Sequence, residues 1–130
     1  MSERQSILVA DDDALLRAVV EHKLRGAGYD VVLVGDGQAA LDSVGELRPS
    51  LVVLDAMMPI MDGFEVLRRL KGDPDLCEIP VIMLTALRRE GDVVAALNLG
   101  AADYLPKPFN PDELVARLTR LTLPLQRQRA

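Results

Sequence analysis

Short apolar runs of strand length recur along this chain, each stopping at polar or turn residues, and the stretches between them carry helical spacing. The runs are Ile7–Ala10, Val31–Val34, Leu51–Leu54 and Val81–Leu84, and each reads as a strand buried on both faces. Leu15, Leu16, Val19, Val20 and Leu24 form one helical stripe; Ala40, Leu41 and Val44 form a second, and Phe64, Leu67 and Leu70 a third. Val93, Ala96 and Leu97 predict a fourth helix, Ala101–Leu105 a short fifth strand, and Leu114, Val115, Leu118 and Leu121 a closing helix. Strand and helix thus alternate five times. Parallel neighbours need a crossover, and crossovers of one hand place helices on both faces of the sheet. The expected fold is a doubly wound (βα)5 three-layer sandwich around a five-stranded parallel sheet.

The punctuation agrees. Gly26 and Gly28 follow the first helical stripe, Asp36 can cap the second helix, and Gly100 ends the fourth. Asn110 precedes Pro111 as an N-cap for the last helix, which Pro124 is expected to stop. Residues 1–124 are therefore expected to form the domain and 125–130 a tail or the start of a linker. With 130 residues, 49% of them hydrophobic, there is material for one core and not for two.

Charge and cysteine usage narrow the function. A net charge of -5 offers no general basic field for nucleic acid or an anionic membrane, but suits a site that gathers divalent cations. Cys77 is the only cysteine, so no intrachain disulfide can form and a reducing compartment fits. The apolar runs fall far short of the roughly 20 residues of a membrane span. No basic start leads into a long apolar segment, because Ile7–Ala10 ends in Asp11, Asp12 and Asp13. A soluble cytoplasmic protein is expected.

An open parallel sheet holds its ligand outside the carboxyl ends of its strands. The residues expected there are Asp11, Asp12 and Asp13, then Asp55, Thr85 and Lys107. Carboxylates crowded into a cleft repel unless a cation joins them. Mg²⁺ is the natural candidate, since it takes oxygen ligands and sits on one or two carboxylates together with phosphate oxygens. Plainer readings exist for each residue alone. Asp11–Asp13 could be a solvated turn and helix cap, Asp55 a turn residue, Asp62–Gly63 the opening of the third helix and Tyr104 a half-buried strand aromatic. His22 reads as solvated, and Met57, Met58 and Met61 as packing residues.

Four strings, LVADDD (Leu8–Asp13), LDAMMPIMDG (Leu54–Gly63), VIMLTA (Val81–Ala86) and ADYLPKPF (Ala102–Phe109), resemble response-regulator receiver domains, in order and over nearly the whole chain. The resemblance implies a flavodoxin-like fold and a phosphorylation switch that assists its own phosphorylation and dephosphorylation, not an enzyme acting on other substrates. It makes Asp55 the acceptor of a phosphoryl group from a phosphohistidine on a sensor histidine kinase or a phosphotransfer protein, giving an acyl phosphate. Asp12 would bind Mg²⁺ directly and Asp11 largely through water, with an Asp55 oxygen and the Met57 carbonyl completing the protein ligands. Thr85 and Lys107 would meet the phosphoryl oxygens, and Pro108, often cis in the family, would aim Lys107. Inward movement of Thr85 would make room for Tyr104. The output face toward an effector would be the fourth helix, fifth strand and fifth helix.

Two departures bear on that output. Where the DNA-binding subfamily carries a basic residue on the fourth helix, this chain has Val93, expected exposed, although Asp103, Glu113 and Arg117 match the subfamily's charges. A homodimer through that face stays open. The positions two after Asp55 and two after Thr85 are Met57 and Leu87, both apolar, which predicts a long-lived acyl phosphate. A different class remains: Asp11 and Asp13 have the acid-x-acid spacing of Mg²⁺-dependent phosphohydrolases of the haloacid-dehalogenase kind. A phosphate-independent interaction module is the third reading.

Overall fold

The computed structural model describes residues 4–86 and 90–129. The elements are β1 (Ser6–Ala10), α1 (Ala14–Gly26), β2 (Asp30–Val34), α2 (Gly37–Leu47), β3 (Leu51–Asp55), α3 (Gly63–Lys71), β4 (Val81–Thr85), α4 (Glu90–Asn98), β5 (Asp103–Pro106) and α5 (Pro111–Arg129). All strand pairs are parallel, in the order β2-β1-β3-β4-β5. The fold is the doubly wound (βα)5 sandwich that the alternation predicts.

Strand side chains alternate between the faces, and that parity divides the core in two. Leu8, Ala10, Val52, Leu54, Val81 and Met83 face α2, α3 and α4. Ile7, Val9, Leu51, Val53, Ile82 and Leu84 face α1 and α5, where Val20, Leu24, Leu114 and Leu118 meet them. This is why β1, β3 and β4 are apolar at consecutive positions: each is covered on both sides.

The edges differ from the sequence expectation. Among the described residues β2 pairs only with β1 and buries only Val31, leaving Val32 exposed, so its apolar run is not that of a strand buried on both faces. An edge strand has one neighbour fewer and so less to cover it. The fifth strand starts at Asp103, two residues later than expected, with Ala101 buried just before it.

Helix termini follow local chemistry. Asp13, Asp36 and Asp62 occupy the N-caps of α1, α2 and α3, each carboxylate accepting from backbone amides of the first turn. The Asn110 side chain accepts from the Asp112 amide at the start of α5. Gly28 and Gly100 turn the chain at φ +98° and +106°, a region that costs an L side chain but not glycine. Pro124 does not stop α5, which continues to Arg129. Proline removes one amide donor, and here the flanking ladder carries on past it.

Candidate metal and acceptor site

Strand order reverses between β1 and β3: the chain leaves β1 for β2 on one side and returns to β3 on the other. The crevice outside their carboxyl ends is where this fold binds its ligands, and it holds the predicted acids. Asp11 follows β1 and is fully buried, Asp12 beside it is exposed, and Asp55 ends β3 at 4% exposure. Each offers a carboxylate oxygen, and these atoms lie within 4.8 Å of one another.

Lys107, just beyond β5, enters from the other side. Its ammonium lies 2.9 Å from Asp11 Oδ2 and 3.4 Å from Asp55 Oδ2, and the Lys107–Pro108 peptide is cis. The backbone holds the acids as well, with the Asp13 amide donating to Asp11 Oδ1 at 2.9 Å and the Met57 amide to Asp55 Oδ1 at 3.3 Å.

Electrostatics follow from burial. Loss of water around Asp55 and the negative charge of Asp11 raise its carboxyl pKa to about 6, against the pull of Lys107 and the Met57 amide. Burial works against the Lys107 ammonium, but its bond to Asp11 and the charges of both carboxylates outweigh burial and raise its pKa. One ammonium thus faces two buried acids, with the exposed Asp12 at the mouth. Such an imbalance favours a cation, and the donors are hard oxygens only, suited to Mg²⁺ or Ca²⁺ and not to soft metals. Among the described residues no backbone amide donates to the Met57 carbonyl.

Thr85 closes β4, fully buried, and its carbonyl accepts from the Lys107 amide at 2.7 Å. Register places Tyr104 opposite Met83 and Pro106 opposite Thr85. Met83 and Thr85 share one face of the sheet, so the half-buried Tyr104 lies on the same face as Thr85, one diagonal step away.

Two close approaches carry no signal in the sequence beyond a glycine at a helix start. A Cβ on Gly63 would stand 2.1 Å from the Asp55 carbonyl oxygen, and one on Gly37 1.9 Å from that of Met61. The N-termini of α2 and α3 therefore press the loop after Asp55 from two sides, as only glycine permits.

Other residues resolve more simply. His22 is exposed, and Cys77 is half-buried with a free thiol. Val93 is not the exposed residue expected; it is half-buried, and the large exposed apolar side chains of α4 are Val94 and Leu97. Helical phase settles this, since Val93 turns toward the sheet together with buried Ala96. Arg117 pairs with both oxygens of Asp103 at 2.9 Å and with Glu113 at 2.9 Å, so these three charges are engaged within the chain. Leu87 lies outside the described residues.

Comparison with known proteins agrees with this geometry. Residues 7–119 match the response regulator receiver domain. The DNA-binding response regulator MtrA of Mycobacterium tuberculosis (strain ATCC 25618 / H37Rv) is 51% identical over 115 residues, covering 88% of this chain and 49% of that protein; the chain spans about half the length of the curated relatives it matches. Among solved structures, the signal receiver domain of a signal transduction histidine kinase from Syntrophus aciditrophicus is similar at TM-score 0.87 and 37% identity, covering 95% of this chain and 93% of that one. The chemotaxis response regulator CheY4 of Vibrio cholerae is similar at TM-score 0.85 and 32% identity, covering 91% and 98%.

Proposed function

This chain belongs to the response-regulator receiver family, and on that premise we propose that Asp55 is its phosphoryl acceptor, working with Mg²⁺. The phosphoryl donor is a phosphohistidine on a sensor histidine kinase or a phosphotransfer protein. The observation that carries this reading is the convergence of Asp11, Asp12 and Asp55 within 4.8 Å, with the Lys107 ammonium on two of them.

A carboxylate oxygen of Asp55 attacks phosphorus, the phosphorus–nitrogen bond of the donor breaks, and the electron pair and a proton end on the imidazole. Ionised Asp55 is required, and a pKa raised to about 6 still leaves it mostly ionised at neutral pH. Asp11, Asp12, the Asp55 carboxylate and the Met57 carbonyl would hold the cation. When bound, Mg²⁺ supplies positive charge against the phosphoryl oxygens. Lys107 adds a second positive charge, and the Thr85 hydroxyl donates to one phosphoryl oxygen. Positioning and charge neutralisation are what phosphoryl transfer asks of a protein.

The added phosphate brings roughly two negative charges and new acceptors. Thr85 is drawn toward it, and Tyr104, its diagonal neighbour on the same face, fills the space left behind. The altered surface of α4, β5 and α5 is read by a downstream effector. Unchanged surroundings of Tyr104 on binding a stable phosphoryl mimic, followed by NMR, would overturn the switch. The DNA-binding function named for the MtrA relatives is not assigned to these 130 residues, whose net charge of -5 opposes it. The single cysteine, unable to form an intrachain disulfide, supports residence in the cytoplasm.

Incubation with acetyl phosphate and Mg²⁺ tests the assignment. The expected result is one phosphoryl group per chain, absent in Asp55→Asn. Turnover of unrelated phosphate esters would point to a hydrolase, and no label at all to an interaction module.

A further inference from the structure

We propose that Arg17 is a positioning residue for the cation site, holding from α1 the peptide that joins Asp11 to Asp12 and so setting where the Asp12 carboxylate points. The inference rests on the metal reading above. Arg17 lies in the first turn of α1, and its half-buried guanidinium donates from Nη1 to the Asp11 carbonyl at 2.7 Å. A charged donor on a carbonyl at that distance is a strong bond. The same Nη1 lies beside Gly35: a Cβ there would stand 3.1 Å from Nη1 and 3.8 Å from Cζ.

The consequence for Asp12 is geometric. The Asp11 amide donates to the Val34 carbonyl at 3.1 Å, so the peptide before Asp11 is tied to β2. The Arg17 bond ties the peptide after it to α1. A peptide unit is planar, so fixing the direction of the Asp11 carbonyl also fixes the Asp12 amide and Cα. The Asp13 amide donates to Asp11 Oδ1 at 2.9 Å, which holds the next peptide too. Asp12 is exposed and takes its direction from these two held peptides.

Charge and positioning predict opposite signs, which makes the inference testable. A cation beside a metal site weakens metal binding by repulsion, so if Arg17 were only a nearby charge, removing it would tighten Mg²⁺. If it positions Asp12, removing it weakens Mg²⁺ by about tenfold, the lower end of what outer supports of a metal site contribute.

The test is Mg²⁺ titration of the whole chain followed by amide NMR shifts, with thermal unfolding in EDTA as the readout for structure. The parent, Arg17→Met, Arg17→Lys and Gly35→Val are compared. Expected are about tenfold weaker Mg²⁺ binding for Arg17→Met with a native-like amide spectrum, partial recovery in Arg17→Lys, whose ammonium still donates to the carbonyl, and a loss in the same direction in Gly35→Val, whose side chain crowds Nη1. Binding by Arg17→Met within twofold of the parent, or tighter, overturns the positioning role while leaving the metal site intact. Absence of Mg²⁺ binding in the parent overturns both readings. Should Arg17→Met fail to fold, Gly35→Val decides by the same criterion.

Discussion

Replacing Asp55 by asparagine is expected to stabilise the metal-free protein at neutral pH, although it removes the proposed acceptor. Asp55 has a side chain only 5% exposed, and burial first, then Asp11, raises its pKa from 3.8 to about 6 even with Lys107 pulling the other way. A carboxyl whose folded pKa is raised binds its proton more tightly in the folded state, so its stabilising contribution is complete below pH 3.8 and is lost as pH rises through 6. At about 1.4 kcal/mol per pH unit, the loss amounts to about 3 kcal/mol by pH 7.5. That is a large share of the ~5–15 kcal/mol stability of an ordinary domain. Lys107 does not blur the comparison, because its pKa rises from 10.5 and it stays charged throughout. Urea unfolding in EDTA from pH 4 to 7.5 should show Asp55→Asn ahead by about 2–3 kcal/mol at pH 7.5, or about 10 °C in Tm. The lead should vanish near pH 4 and shrink when Mg²⁺ is added to both proteins, because only the parent gains the full cation contact. An asparagine variant no more stable than the parent at pH 7.5, or a lead that persists at pH 4, would refute the account of a repulsive, cation-seeking pocket.

Lys107→Met should slow phosphoryl uptake from acetyl phosphate by about 100-fold, as loss of one preorganised charge at a developing anion does; rapid-quench labelling measures it, and uptake within threefold of the parent would count against Lys107. Gly63→Ala should cost about 3 kcal/mol or more in urea unfolding, because its methyl would meet the Asp55 carbonyl oxygen at 2.1 Å, a backbone atom with no room to yield. Ile60 sits at φ 72° with 80% exposure, so Ile60→Gly should gain about 1 kcal/mol in the same assay, relief of left-handed strain exceeding the entropy glycine adds to the unfolded chain. The Met57 side chain, exposed beside the acceptor, cannot orient a hydrolytic water; the acyl phosphate should last minutes or longer in purified protein with Mg²⁺, Met57→Asn should shorten it, and a parent half-life of seconds would contradict this.

Much of this protein is legible in its sequence because the relevant physics is local. The five strand-and-helix alternations follow from period 2 against period 3.6, and the caps at Asp36, Asp62 and Asn110 and the turn at Gly100 need only their own neighbours. The acids at the ends of the first and third runs could be placed together before any coordinates, because a parallel sheet puts all its carboxyl ends on one side. Tertiary structure decided what depends on partners distant in the chain. It made β2 an edge strand, turned Val93 inward and Val94 outward, and left Leu15, counted among the apolar positions of its helix, 74% exposed. It also decided that Gly37 and Gly63 are pressed against backbone, and that Arg17 reaches back to the Asp11 carbonyl beside Gly35. Periodicity tells a residue which side of its own element it occupies; only the packing of elements determines what stands on that side, and the cation site draws its geometry from both.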